Sequence, residues 1–118
     1  MLKSHTAKLA TANANLDGTG EIKDLIVAGP KGGRVVRRGY CAKVTTTLGW
    51  VSFYVDKGDG WELDGLMPVD ARTLSGTTVP PSAASEPCCT DLQPFWKYGA
   101  AMGKAEATIA SIEVEHHA

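Results

Sequence analysis

Apolar and polar residues alternate with a period of two along most of this chain, the spacing at which successive side chains of a strand point to opposite faces. The clearest instance is Val44–Met67, VTTTLGWVSFYVDKGDGWELDGLM. Two β-rich runs, Trp50–Val55 and Trp61–Leu66, flank the polar turn Asp56-Lys57-Gly58-Asp59-Gly60 and predict a hairpin. In the first run Val51, Phe53 and Val55 share one side, and Trp50, Ser52 and Tyr54 the other. Upstream, Glu21–Ala28 reads as a strand that stops at the loop Gly29-Pro30-Lys31-Gly32-Gly33. Arg34–Thr47 predicts a long strand with Val36, Arg38, Tyr40, Ala42 and Val44 on one face and Val35, Arg37, Gly39, Cys41 and Lys43 on the other. Gly39 in its middle predicts a bulge or bend there.

Downstream, Met67–Arg72 reads as a further short extended segment. Thr73–Pro87, TLSGTTVPPSAASEP, predicts a long loop or irregular edge segment, because Pro80-Pro81 cannot sit in a central strand. Thr90–Met102 carries Phe95, Trp96 and Tyr98, and a turn follows at Gly103-Lys104. In Ala105–His116 the glutamates permit a helix, but the β-branched Ile109, Ile112 and Val114 favour a closing strand. The polar, alanine-rich residues 1–16 predict an extended arm that pairs at a sheet edge, ahead of a domain spanning 17–118. Seven or eight extended segments at this spacing predict an all-β chain: a single-domain antiparallel β-sandwich, jelly-roll-like.

Composition narrows the partners. A chain of 118 residues is one domain by length and can bury a core without staples. Its formal net charge of −1 removes the usual electrostatic argument for nucleic acid or an acidic membrane. No apolar leader opens the chain and no run is long enough to cross a bilayer, which predicts a protein made in a reducing cytoplasm. Cys41 and the vicinal Cys88-Cys89 form an odd set of three, a poor disulfide framework, although Cys41 could pair with one of the other two outside that compartment.

Candidate chemistry is thin. Asp56, Asp59, Glu62 and Asp64 suggest a calcium loop, but Gly58 and Gly60 occupy places where an EF-hand needs oxygen ligands. His116-His117 and Cys88-Cys89 lack zinc-ligand spacing, and the histidine pair reads as a solvated tail. Gly29–Arg34 has glycines and basic residues, but neither the P-loop order nor a following helix. His5, His116 and His117 lie near the termini, so no cysteine–histidine pair is indicated, and alternation puts Glu62 and Asp64 on one solvated face. Arg34, Arg37, Arg38 and Lys43 with Tyr40 could form a basic binding strand, yet the arginines fall on both of its faces. No catalytic, cofactor-binding or metal-ligating residue is assigned, and no enzyme activity is expected.

A series of ordered motifs points elsewhere. TAKLATANANLDGTGEIKDLIVAGPKGGRV (6–35), KVTTTLGWVSFYVDKGDGWEL (43–63), PVDARTLSGTTVP (68–80) and FWKYGAAMGKAEATIASIEVEH (95–116) together resemble a family of small tailed-phage and prophage virion structural proteins of the capsid decoration, or cement, type. PPSAASEPCCTDLQP, with its vicinal cysteines, and the ending in Glu115-His116-His117 depart from that pattern. The resemblance implies a jelly-roll protein on the capsid surface of a virion, present in the host cytoplasm during assembly. Its implied partners are the major capsid protein and itself, as a homotrimer, with no nucleic acid, membrane, small-molecule substrate or cofactor. Residues 1–16 and the loop Thr73–Pro87 are the expected contact surfaces. Two other readings compete: a tail-fibre, baseplate or head-spike component, and a carbohydrate-binding module using Trp50, Trp61 and Trp96 as stacking platforms.

Overall fold

The structure, a computed structural model, describes residues 2–73, 82–104 and 106–117, with the backbone alone at residue 89. Eight strands follow one another: β1 (Leu2–Leu9), β2 (Lys23–Val27), β3 (Gly33–Ala42), β4 (Gly49–Asp56), β5 (Trp61–Val69), β6 (Ala83–Leu92), β7 (Lys97–Met102) and β8 (Thr108–His116). They form two four-stranded sheets, ordered β1-β8-β3-β6 and β2-β7-β4-β5. Every lateral pairing is antiparallel, and β1 pairs with β8, β2 with β7, β3 with β6 and β4 with β5. The chain is therefore one long double ribbon folded onto itself, the eight-stranded jelly roll, and the β4–β5 hairpin is the tip of that ribbon.

The core lies between the sheets because each strand turns one phase of its alternation inward. Val51, Phe53 and Val55 of β4 meet Tyr98, Ala100 and Met102 of β7 in that layer, facing Val35, Tyr40, Ala110, Ile112 and Val114 from the other sheet. Phe53 and Tyr98 stack with ring centroids 6.2 Å apart. The other face of β4 is buried as well. Tyr54 and Ser52 are each 0 % exposed, because the segment after β1 crosses onto that side. Asn13 N–H donates to the Met102 carbonyl, the Tyr54 hydroxyl donates to the Asn15 carbonyl at 2.9 Å, and the Asn13 amide closes the segment by donating to the carbonyls of Thr19 and Glu21. Of residues 2–16, the first eight are thus an edge strand and the remainder lies against the β2-β7-β4-β5 sheet.

Several sequence expectations change. The bulge in β3 falls between Val35 and Arg37, not at Gly39. The extra residue, Val36, reverses the alternation, so Val35 is buried together with Tyr40 and Ala42. Gly39 serves close approach instead: a Cβ there would lie 2.6 Å from the Ala84 carbonyl oxygen. The strand ends at Ala42, short of Thr47, and Met67–Val69 continue β5 instead of forming a separate segment. Ala83–Pro87, expected in a long loop or an irregular edge segment, belong to the edge strand β6. Pro87 is tolerated there because β6 is an edge strand. The rest of the expected loop, residues 74–81, lies outside the described residues.

Candidate functional site

A two-layer sandwich has two open sides, where the edge strands of opposite sheets face each other. The side bounded by β6 and β5 carries a connected group of polar side chains. Two bulges create it. The one at Val36 turns Arg38 inward, and a second between Phe53 and Tyr54 leaves Asp64 as the unpaired extra residue of β5. Sequence alternation placed Asp64 on a solvated face with Glu62; the bulge rotates it toward Arg38 instead.

Arg38 Nε donates to Glu86 Oε1 at 2.8 Å, and Arg38 Nη1 donates to Asp64 Oδ2 at 3.3 Å. The same Asp64 oxygen accepts from the Tyr98 hydroxyl at 2.5 Å and from the Thr90 hydroxyl at 2.7 Å. The guanidinium lies 5.5 Å from the Phe53 ring centroid and fills the space where a Cβ on Gly65 would sit. A side chain at position 65 would displace it. Arg38 and Asp64 are 14 % and 19 % exposed, so their attraction is screened far less than that of a surface pair. Burial and the Asp64 carboxylate raise the Tyr98 pKa well above the usual phenol value. Desolvation works against the charge of the Arg38 guanidinium, but its bonds to Glu86 and then Tyr98 together outweigh it and hold the group charged. Neither group gives up a proton near neutrality. The cluster is built to join β3 and β6 to β5 and β7, not to move protons. Nearer the other end of the same seam, the Tyr40 hydroxyl donates to the Pro68 carbonyl at 2.9 Å and lies 3.2 Å from Ser82 Oγ.

The remaining candidates scatter. Arg34 reaches Asp91, Arg37 donates to Ser85, and Arg38 points inward, so the basic residues of β3 do not share one face. Asp56 Oδ1 accepts from the backbone N–H groups of Gly58 and Gly60, which makes the acidic stretch a self-satisfied turn. Gly29–Gly32 forms a tight turn with Gly32 N–H donating to the Gly29 carbonyl. Cys41 and Cys88 are free, half-buried thiols. Cys88 lies 3.4 Å from Thr90 Oγ1, and the side chain of residue 89 lies outside the description.

The tryptophans do not make a platform. Trp50 and Trp61 pair with Pro68 and Asp56, at opposite ends of the β4–β5 ribbon. Trp50 lies against Gly103, Trp61 against Gly99, and Lys57 covers the Trp96 ring at 5.2 Å. All three are half-buried.

His116 is not a solvated tail. It belongs to β8, and its Nε2 lies 3.1 Å from Nε2 of His5 on β1, with the rings edge to face. Burial, then the positive charge of nearby groups, lowers both pKa values: His116 and Lys3 act on His5, and Lys3 and the amino terminus on His116. The signal for this pair was present in the parity of the two strands. His5 shares its phase with the half-buried Ala7 and buried Leu9, and His116 shares its phase with the buried Ile112 and Val114. Comparison with family models and with curated proteins returns no match to this chain.

Proposed function

We propose that this protein is a bacteriophage capsid decoration protein, which binds the outside of the expanded head and stabilises contacts between major capsid protein subunits. The ordered motifs of the sequence support this reading. So does the jelly roll, an architecture that capsid and lectin domains share, although a fold alone does not specify a function. The observation that carries it is a groove of about 410 Å³ at one end of the β1-β8-β3-β6 sheet, where the end of β1, the start of β8 and the segment after β3 meet, lined by Lys8, Leu9, Ala10, Lys43, Ala107, Thr108 and Ile109.

β1 is the last strand of its sheet, so its outer backbone groups are available to an added strand. Lys8 and Lys43 flank the apolar floor, and neither makes an ion pair within the described residues. An extended capsid segment carrying apolar and acidic side chains fits that chemistry. Many copies on one shell, each acting as a homotrimer, convert a modest contact into shell stabilisation through mass action and avidity. The carbohydrate reading draws less support, because Trp50 and Trp61 stand at opposite ends of the β4–β5 ribbon and Lys57 lies over the Trp96 ring.

Purified protein added to expanded heads is expected to bind them and raise their resistance to heat. The double reversal Lys8→Glu/Lys43→Glu should weaken binding at least ~10-fold while leaving the melting temperature of the free protein nearly unchanged, since both side chains are exposed. Wild-type binding no tighter than to an unrelated protein surface would overturn the proposal.

A further inference from the structure

We infer that Phe95 is a second docking element, an aromatic anchor for an apolar socket on a capsid subunit other than the one held at the lysine-flanked groove. The anchor rests on the capsid reading above, in which one copy must touch two neighbouring subunits. Gln93-Pro94-Phe95-Trp96 is a tight turn, closed by the Trp96 N–H donating to the Gln93 carbonyl at 3.2 Å. Proline at its second position and a positive φ at its third match a type II turn, whose third residue is normally glycine. Phe95 fills that place at φ 65°, the one non-glycine residue with a positive φ among the described residues. A bulky side chain crowds its own backbone there, so the position is costly.

The fold gains little in return, since Phe95 is 66 % exposed. The turn does not depend on the ring either. Its Phe95 N–H donates to the Ala28 carbonyl at 3.1 Å and the Ala28 N–H to the Trp96 carbonyl at 2.8 Å, bonds made by the backbone alone. These bonds seat the turn against the end of β2, where Val27 adds further exposed apolar surface. A strained, firmly seated and solvent-facing aromatic is a preorganised anchor: a partner that buries it gains apolar contact without the cost of ordering the loop.

The place of Phe95 in the fold points to the partner. Leu92 pairs with Gly33 at the start of β3, whereas the groove lies beyond Ala42, at the end of that strand. Ten residues of strand span roughly 30 Å. Phe95 and the groove therefore stand towards opposite ends of a molecule whose longest extent is 44 Å. A stable interface buries roughly 800 Å² on each partner, and one aromatic side chain supplies about 150–250 Å². Phe95 thus serves as one of two linked contacts and not as a dimer interface of its own. With one end on each of two capsid subunits, the two contacts together hold far more tightly than either does alone.

The test titrates wild-type and variant proteins onto expanded heads and reads both occupancy and the heat resistance of the heads. Phe95→Gly should weaken binding at least ~10-fold, whereas Phe95→Trp, which keeps an aromatic ring, should stay within ~3-fold of wild type. At concentrations that restore full occupancy, heads carrying Phe95→Gly should still be less heat-resistant, because one end of each bound copy is free. The free Phe95→Gly protein should melt no lower than wild type, since glycine relieves the backbone and little packing is lost. Heads bound and protected equally well by Phe95→Gly would overturn this inference and leave the capsid reading standing, whereas absence of wild-type binding would remove both. A fall of more than ~3 °C in the melting temperature of free Phe95→Gly would assign the ring to the fold and overturn the inference. Loss of self-association in that variant would assign the ring to a second copy of the chain and overturn it as well.

Discussion

Asp64 shows how much one side chain decides here. A single carboxylate oxygen accepts from Arg38, Tyr98 and Thr90, residues of three different strands. Charge-assisted bonds of this kind are about twice as strong as neutral ones, and removing the acceptor leaves a partly desolvated cation and two hydroxyls short of partners. Breaking a fully buried pair costs about 3–5 kcal/mol. Arg38 would keep Glu86, and the pair retains some exposure, so Asp64→Ala should cost about 2 kcal/mol in urea denaturation. In an Arg38→Met background the same substitution should cost markedly less, because the stranded charge is gone. A loss below about 0.5 kcal/mol in the wild-type background would show that the cluster is incidental. Asp64 was visible in the sequence only as one member of an acidic run. Nothing local announced that a bulge would turn it inward.

Among the strands, β1 is one of the four edge strands, held laterally by β8 alone and open on its outer side. The histidine pair near its start makes that attachment sensitive to pH. Folding lowers the pKa of both His5 and His116 below the ordinary value of 6.5. The unfolded chain then binds more protons than the folded one just below that value, so folding stability falls as pH drops through 6.5 toward the folded pKa values. The groups facing the pair that contribute, Lys3 and the amino terminus, are both cationic and act in the same direction. With chelator present throughout, the urea midpoint should be lower at pH 5.5 than at pH 7.5. The drop should shrink in His5→Gln/His116→Gln. An equal drop in that variant would assign the effect to carboxylates elsewhere. The strands themselves were largely legible in the sequence. The β4–β5 hairpin, the inward set Val51, Phe53 and Val55, and the inward set Thr108, Ala110, Ile112 and Val114 of β8 all follow from period-two alternation. The misplaced ones, β3 beyond its bulge and β6, are those whose local pattern a bulge or a proline interrupts.

For the molecule as a whole, the jelly-roll ribbon sets how it must fold. The tip, β4–β5, closes over a four-residue turn, whereas β1 waits for β8 from the far end of the chain. Such non-local pairing delays the reward for closing long loops, and all-β domains of this kind refold in milliseconds to seconds. Stopped-flow refolding should therefore show a main phase no faster than about 1 ms, and substitutions in β1 should chiefly speed unfolding. A main phase in tens of microseconds would contradict this. The lysine-flanked groove also belongs to this scale, since it arises only where β1, β8 and the segment after β3 come together.

Alternation, turn residues and the β-branched composition by themselves determined that this chain forms strands, where most of them lie, and that they stack as a β-sandwich. These are properties of a residue and its near neighbours, which a linear reading contains. The tertiary structure alone decided which strands became neighbours. With that came the inward turn of Arg38 and Asp64, the separation of the tryptophans and the meeting of His5 with His116. A bulge exists only relative to a partner strand, and two rings 111 positions apart meet only when the whole ribbon has closed.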